Sequence, residues 1–269
     1  MKDIVKNRAR VGFGHKWSVA LLALRENGLA WWICLMTYYA ASAIAERAHS
    51  AMNRLRLQRN LPGLNSAALN KRIWEAWDWS AAGNEWNQSA EWKESLIRCV
   101  LHECIPANRS VLEIGPGGGR WTGPLLERAS EYVGVDISST CVEHCAQHFA
   151  HYPQARFILG SGRDLAGVPG TSVDAIWSFD VFVHINTAEV ESYVEEFVRV
   201  LRPGGVAAIH HGGVGGSDGG WRSNLTAASL HAILARHGLK IERVLEQWVD
   251  GGEIRSLGYG DLITVFSRP

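Results

Sequence analysis

Residues 111–121 read VLEIGPGGGRW. A strand-like apolar run over 110–114 enters four glycines, Gly115, Gly117, Gly118 and Gly119, and a helix is expected to begin directly after them. Missing side chains let a backbone approach a bound molecule, and the first turn of a helix offers N–H groups without partners inside the helix. Two ligand classes use such a loop. The dinucleotide fingerprint GxGxxG would need its third glycine at position 120, which is Arg120. The spacing is instead ExGxGxG, starting at Glu113. A carboxylate beside the loop suits a ligand bearing an amino group better than one bearing a pyrophosphate.

Outward from the loop, short apolar runs alternate with amphipathic helices. Strand-like runs cover 132–136, 155–159, 173–179 and 206–210, and two more, 239–248 and 261–267, finish the chain. Val190, Tyr193, Val194, Phe197, Val198 and Leu201 recur at a helical period, and a second helix over 227–237 stops at Gly238. This is the pattern of a mostly parallel sheet covered by helices on both faces, the α/β class. Asp136 ends the second strand 21 residues beyond Gly115, where an acid can accept hydrogen bonds from both hydroxyls of a ribose. Upstream of the sheet the chain reads as helical over 17–26, 29–60, 69–79 and 91–103, with LPG at 61–63 closing the second of these. Three segments are expected: a helical N-terminal extension over 1–70, a Trp-rich helical cap over 71–106, and the sheet domain over 107–269.

Glycine loop, Glu113 and Asp136 together resemble the class I S-adenosylmethionine (SAM)-dependent methyltransferases. The resemblance implies a Rossmann-like sheet of seven strands, mostly parallel, with SAM as cofactor. It places Glu113, Gly115, Gly117, Gly119, Trp121, Asp136, Ile137, Ser161, Gly162 and Phe179 around the cofactor, with Asp136 on the ribose. LRPGG at 201–205 and the two final strands also match the family's pattern. The loop after the third strand departs from it. Where the family places an acid near adenine, this chain has Gly160-Ser161-Gly162-Arg163, so Ser161, backbone groups or Asp164 would take that role.

Methyl transfer from a sulfonium is an in-line displacement, in which the protein aligns the acceptor and removes its proton. Chemistry in open α/β sheets sits beyond the carboxyl ends of the strands. Two such ends are loaded: Asp180 and His184 after the fourth strand, and His210 and His211 at the end of the fifth. A histidine can take the proton of an attacking hydroxyl, and Asp180, His210 and His211 would ligate a divalent cation such as Mg2+ if they converged. No Asn-Pro-Pro-Tyr type loop or Pro-Cys pair is present, which turns the reading away from nucleobase acceptors. WEAWDWS at 74–80, EW at 85–86, SFDVFVH at 178–184, IHH at 209–211 and WR at 221–222 resemble bacterial small-molecule methyltransferases, among them sugar O-methyltransferases such as glucosylglycerate methyltransferases. This resemblance spans residues 71–267. It implies a carbohydrate acceptor held by Trp79, Glu85, Trp86, Trp221 and Arg222, and methylation of a hydroxyl. N-methylation, a lipid-linked acceptor and a non-catalytic SAM-binding partner protein are the alternatives.

Composition narrows the classes further. Lys plus Arg and Asp plus Glu each number 27, so no whole-chain field draws the protein to nucleic acid, and the basic cluster from Arg54 to Arg59 reads as a solvated helix face. Five cysteines without a CxxC pair read as buried reduced thiols of a cytoplasmic protein. Twelve tryptophans stand out, and five of them (Trp74, Trp77, Trp79, Trp86, Trp92) lie close together, where they would pack on sugar faces or close as a lid. Residues 28–45 carry no charge. This run is expected to form a buried helix or one that joins two copies of the chain, with an interfacial anchor or a membrane span as the other readings. A multi-pass transporter is excluded.

Overall fold

Side chains along β1 (Ser110–Ile114) alternate between two buried layers. Leu112 and Ile114 face a core shared with Val190, Val194 and Phe197, whereas Val111 faces a second core built with Leu96, Trp121 and Trp177. A strand buried on both faces needs helices on both faces, and that arrangement is what the computed structural model shows. It describes residues 13–59, 61–214 and 221–269. The charged segment 1–10 and positions 215–220 of the glycine-rich loop lie outside the described residues.

The chain divides into two units, Met1–Leu61 and Pro62–Pro269. The boundary falls at residue 61 rather than 70. Helix α2 (Ala67–Ala76), capped by Ser66, belongs to the second unit: Asn65 donates to the Trp221 carbonyl and Asn70 to the His184 carbonyl.

Among its described residues the first unit is built on one long helical element, α1 (Phe13–Gln58), broken at Gly28 with φ 80° and ψ 167°. Only glycine enters that region without strain. Across the break the Trp32 indole donates to the carbonyl of Ala20 at 2.9 Å, twelve residues earlier, so the two arms fold towards each other.

In the second unit, α3 (Ala90–Leu96) runs through a π-turn (Ile97–Leu101) into α4 (His102–Cys104). After β1 come α5 (Thr122–Leu126), β2 (Glu131–Asp136), α6 (Ser139–His148), β3 (Ala155–Leu159), β4 (Val173–Ser178), α7 (Thr187–Val200), β5 (Leu201–Gly212), α8 (Ala227–Arg236) and β6 (Lys240–Leu245). A hairpin of β7 (Gln247–Asp250) and β8 (Glu253–Ser256) precedes β9 (Asp261–Ser267). Among the described residues seven strands form one sheet in the order β3-β2-β1-β4-β5-β9-β6, with β9 antiparallel to both its neighbours and the remaining pairs parallel. Strand order reverses between β1 and β4, which opens a crevice beyond their carboxyl ends.

The terminal segment 239–248 is not one strand. The chain leaves the sheet after Leu245, and β7 turns back through Gly251 and Gly252, both at positive φ. Trp248 donates to Ser95 Oγ at 2.7 Å, and Trp92 and Gln88 both donate to the Ser256 carbonyl, so the hairpin is tied to the segment ahead of β1.

Candidate active site

The glycine loop leaves β1 with Gly115, Gly117 and Gly119 all at positive φ. Space as well as conformation demands glycine here. A Cβ on Gly115 would lie 2.3 Å from Val181, and one on Gly118 would lie 2.6 Å from the Cα of Ala82. The Trp-rich segment thus rests directly on the loop, and Trp79 covers Gly117. Trp74, Trp77, Trp79 and Trp86 contact one another with ring centroids 5.3–6.1 Å apart. The Trp77 indole donates to Glu85 and the Trp79 indole to the Trp74 carbonyl.

Beneath this cover lies a cleft of about 1000 Å³ at the ends of β1, β2 and β4. Asp136 lines it, buried, with Oδ2 accepting from Gly117 N at 3.0 Å and Oδ1 from Ser138 N at 2.9 Å. Burial raises its pKa above the ordinary value against those two amide bonds. Each oxygen has used one lone pair, leaving one on each for a further donor. Gly115, Gly117, Trp121, Ile137, Gly162 and Phe179 also line this cleft. Three expected cofactor residues do not. Glu113 lies behind the loop, where it accepts from Tyr132 OH at 2.5 Å and Thr122 Oγ1 at 2.7 Å, and burial pushes its pKa up to about 7. Gly119 packs on Phe149. Ser161 is exposed and spends its hydroxyl on a local turn with Asp164.

A second, more open cleft of about 1560 Å³ adjoins the first. Trp74, Trp86, Arg120, Phe179, Asp180 and His184 line both, while Glu85, Trp221 and Arg222 line the second and Trp79 the first. Asp180 has φ 60°, a strained value for a residue with a side chain, and is fixed from two sides. Arg120 Nη1 contacts its Oδ2 at 2.5 Å, and His210 Nδ1 lies 3.2 Å from Oδ1. Burial alone would raise the Asp180 pKa, but the bonds and charges of His210 and Arg120 prevail and hold it well below the usual carboxylate range. On the far side His210 Nε2 lies 3.4 Å from Asp261 Oδ2, and Asp261 is paired with Arg222. Burial would lower the His210 pKa, and the two carboxylates outweigh it and raise it.

The expected cation site fails on strand geometry. Consecutive residues on β5 point to opposite faces. His210 stacks on Phe179 at 4.1 Å, whereas His211 is buried on the other side, held by Thr264 Oγ1 at 2.7 Å and the Gly212 carbonyl at 2.9 Å. Burial drives the His211 pKa down to about 4. With Asp180 neutralised by Arg120, the triad of Asp180, His210 and His211 does not assemble, and no group of metal-ligating side chains converges among the described residues.

His184 is placed differently. A carbonyl can only accept, so the contact from His184 Nδ1 to the Trp221 carbonyl at 2.9 Å puts a proton on Nδ1 and leaves Nε2 as the acceptor. Burial is the main cause that lowers its pKa, which keeps the ring neutral. Its ring packs edge-to-face with Trp74, the ring centroids 5.3 Å apart.

Residues 111–205 match a protein-family model described as a methyltransferase domain. The match takes in the glycine loop, Asp136 and LRPGG at 201–205. The chain is similar to a phosphoethanolamine N-methyltransferase of Triticum aestivum, 33% identical over 99 residues, covering 36% of this chain and 19% of that one. A Mycolicibacterium smegmatis protein, named a probable S-adenosylmethionine-dependent methyltransferase, is 34% identical over 116 residues, covering 43% and 42%. The chain therefore spans less than half the length of these relatives. Among solved structures, PH0226 from Pyrococcus horikoshii superposes with a TM-score of 0.56 at 18% identity, over 74% of this chain and 99% of that one. The fold is the Rossmann-like one of methyltransferases, as expected.

Arg120, Asp261 and Tyr259 line the two clefts without having been singled out in the sequence. Arg120 sits beside the glycine motif, where its identity had served only to exclude a dinucleotide loop. Asp261 opens the last strand, and nothing local marks it as a partner of Arg222 or His210, 39 and 51 residues earlier.

Proposed function

We propose that the protein transfers a methyl group from SAM to a hydroxyl of a small molecule, a sugar or glycoside. One observation carries this reading: two clefts meet at His184, one walled by the glycine loop and Asp136, the other by aromatic rings and fixed charges. The residues present fit the cofactor, because Asp136 keeps one lone pair on each oxygen for a ribose diol, and glycines at 115, 117, 160 and 162 leave the floor of the cleft to backbone. When bound, SAM supplies a methyl group on a positively charged sulfur. The chain's own residues do the rest. Trp79 covers the loop and, with Trp86 packed against it, excludes water, and the flat faces of Trp74 and Trp86 suit sugar C–H surfaces. His184, neutral and with Nε2 unprotonated, accepts the proton of the attacking hydroxyl. Arg120 and His210 keep Asp180 ionised, so it orients the acceptor as a hydrogen-bond acceptor rather than serving as the base.

N-methylation is a second reading. Tryptophan faces attract ammonium groups, and the sequence is similar to a phosphoethanolamine N-methyltransferase over part of its length. A screen with methyl-labelled SAM against sugars, glycosides and small amines separates the two. Label is expected in a sugar or glycoside ether, and His184→Gln is expected to slow turnover about 100-fold with SAM affinity unchanged. Label confined to amines would support the second reading. Full turnover by His184→Gln would remove His184 as the base.

A further inference from the structure

The charge that sums to zero over the chain is unevenly divided. Residues 1–61 hold ten basic side chains (Lys2, Lys6, Lys16, Arg8, Arg10, Arg25, Arg47, Arg54, Arg56, Arg59) against three acidic ones (Asp3, Glu26, Glu46). That is a net +7, so residues 62–269 carry −7. Within the basic unit no charge interrupts residues 28–45, and the helix containing them is long and apolar enough to cross a membrane, with none of its apolar window buried. Its large apolar side chains are exposed around the whole circumference rather than along one stripe: Trp31, Ile33, Met36, Tyr38, Tyr39 and Ile44 are all 40% or more exposed. An in-plane amphipathic helix would show a polar face here. A helix apolar all round requires an apolar medium. At about 1.5 Å per residue, 18 residues span about 27 Å, close to the hydrocarbon thickness of a bilayer. Arg25 precedes this run, and Arg47, Arg54 and Arg59 follow it, all exposed. Cations flanking an apolar run of this length complement anionic lipid headgroups, and the uncharged stretch between them makes nucleic acid a poor partner.

We propose that the first unit is a membrane anchor: the arm of α1 after Gly28 inserts into the hydrocarbon of an anionic bilayer, with Arg47, Arg54 and Arg59 at the headgroups. The proposal does not depend on the reaction assigned to the second unit.

Flotation of the full chain with lipid vesicles tests it. The chain is expected to float with phosphatidylcholine vesicles containing about 30% phosphatidylglycerol, about tenfold more than with phosphatidylcholine alone. Once bound, it is expected to stay on the vesicles in about 0.5 M NaCl, where surface charge attraction is screened. The exposed double variant Ile33→Glu/Met36→Glu should lose flotation from both vesicle types. Arg47→Glu/Arg54→Glu/Arg59→Glu should lose only the preference for phosphatidylglycerol. Circular dichroism of each variant, matched to the parent, keeps misfolding from imitating either result. Release by salt, flotation unaffected by Ile33→Glu/Met36→Glu, or a lipid-free dimer by sedimentation that does not float would each overturn the proposal, the last by showing that a second copy covers the apolar face.

Discussion

Glu113 supports the glycine loop from behind. Its buried carboxyl, with a pKa pushed to about 7, accepts hydroxyl bonds from Tyr132 and Thr122 and does not reach the cleft. A raised carboxyl pKa means that the fold favours the protonated form. The resulting stability is fully present below the ordinary value of 4.5 and is lost as pH rises through about 7. Glu113→Gln is therefore expected to gain stability relative to the parent at about pH 8, and Glu113→Ala to lose about 1–3 kcal/mol at any pH by removing the buried acceptor that two hydroxyls share, leaving Tyr132 only its 3.3 Å bond to Thr122. Urea denaturation at about pH 5 and about pH 8 measures both. The residue type and position of Glu113 were legible in the sequence, but its direction was not, because its partners come from β2 and α5. His210 and His211 teach the converse. Period-two alternation on a strand already implied that only one of them could face the site, and that signal outweighs their shared chemistry.

Elements were legible wherever local chemistry fixed them. The strand–glycine–helix unit, β3 and β9 fall where periodicity placed them. The β7–β8 hairpin was missed although Asp250-Gly251-Gly252-Glu253 carries a turn signal, with two adjacent glycines both at positive φ. Apolar residues recurring among polar ones from Leu239 to Trp248 masked the break. Two substitutions probe how the elements hold the site. Gly118→Ala needs no unusual φ, yet its Cβ would meet the Ala82 backbone at 2.6 Å, so the tryptophan cover must lift. A loss of about 1–3 kcal/mol in thermal unfolding and weaker SAM binding are expected together. Ser95→Ala removes the acceptor of the buried Trp248 indole and should cost about 1–3 kcal/mol, loosening the hairpin that leads into Leu257, Gly258 and Tyr259 on one wall of the second cleft.

Over the whole molecule, the site is an assembly of distant segments. Arg120 from the loop after β1, Asp180 from the end of β4, His210 from β5, and Asp261 with Arg222 around β9 form one chain of charges. Sequence spacing offered no means of pairing them, because each contact depends on the β4-β5-β9 order of the sheet. That sheet also sets the response to acid. His211 is buried as a neutral ring with its pKa lowered to about 4, so the stability it contributes is present above about 6.5 and lost as pH falls through 4. The loss amounts to about 3 kcal/mol over that window, and His211→Gln should flatten it in denaturation curves recorded across the same range.

On this reading the cleft under the tryptophan cover holds SAM on Asp136. Calorimetric titration of SAM into the full chain tests it most directly. One binding site is expected, with affinity lowered about tenfold or more in Asp136→Ala and no heat from NADH. Absence of binding to the parent chain, or unchanged affinity in Asp136→Ala, would contradict it.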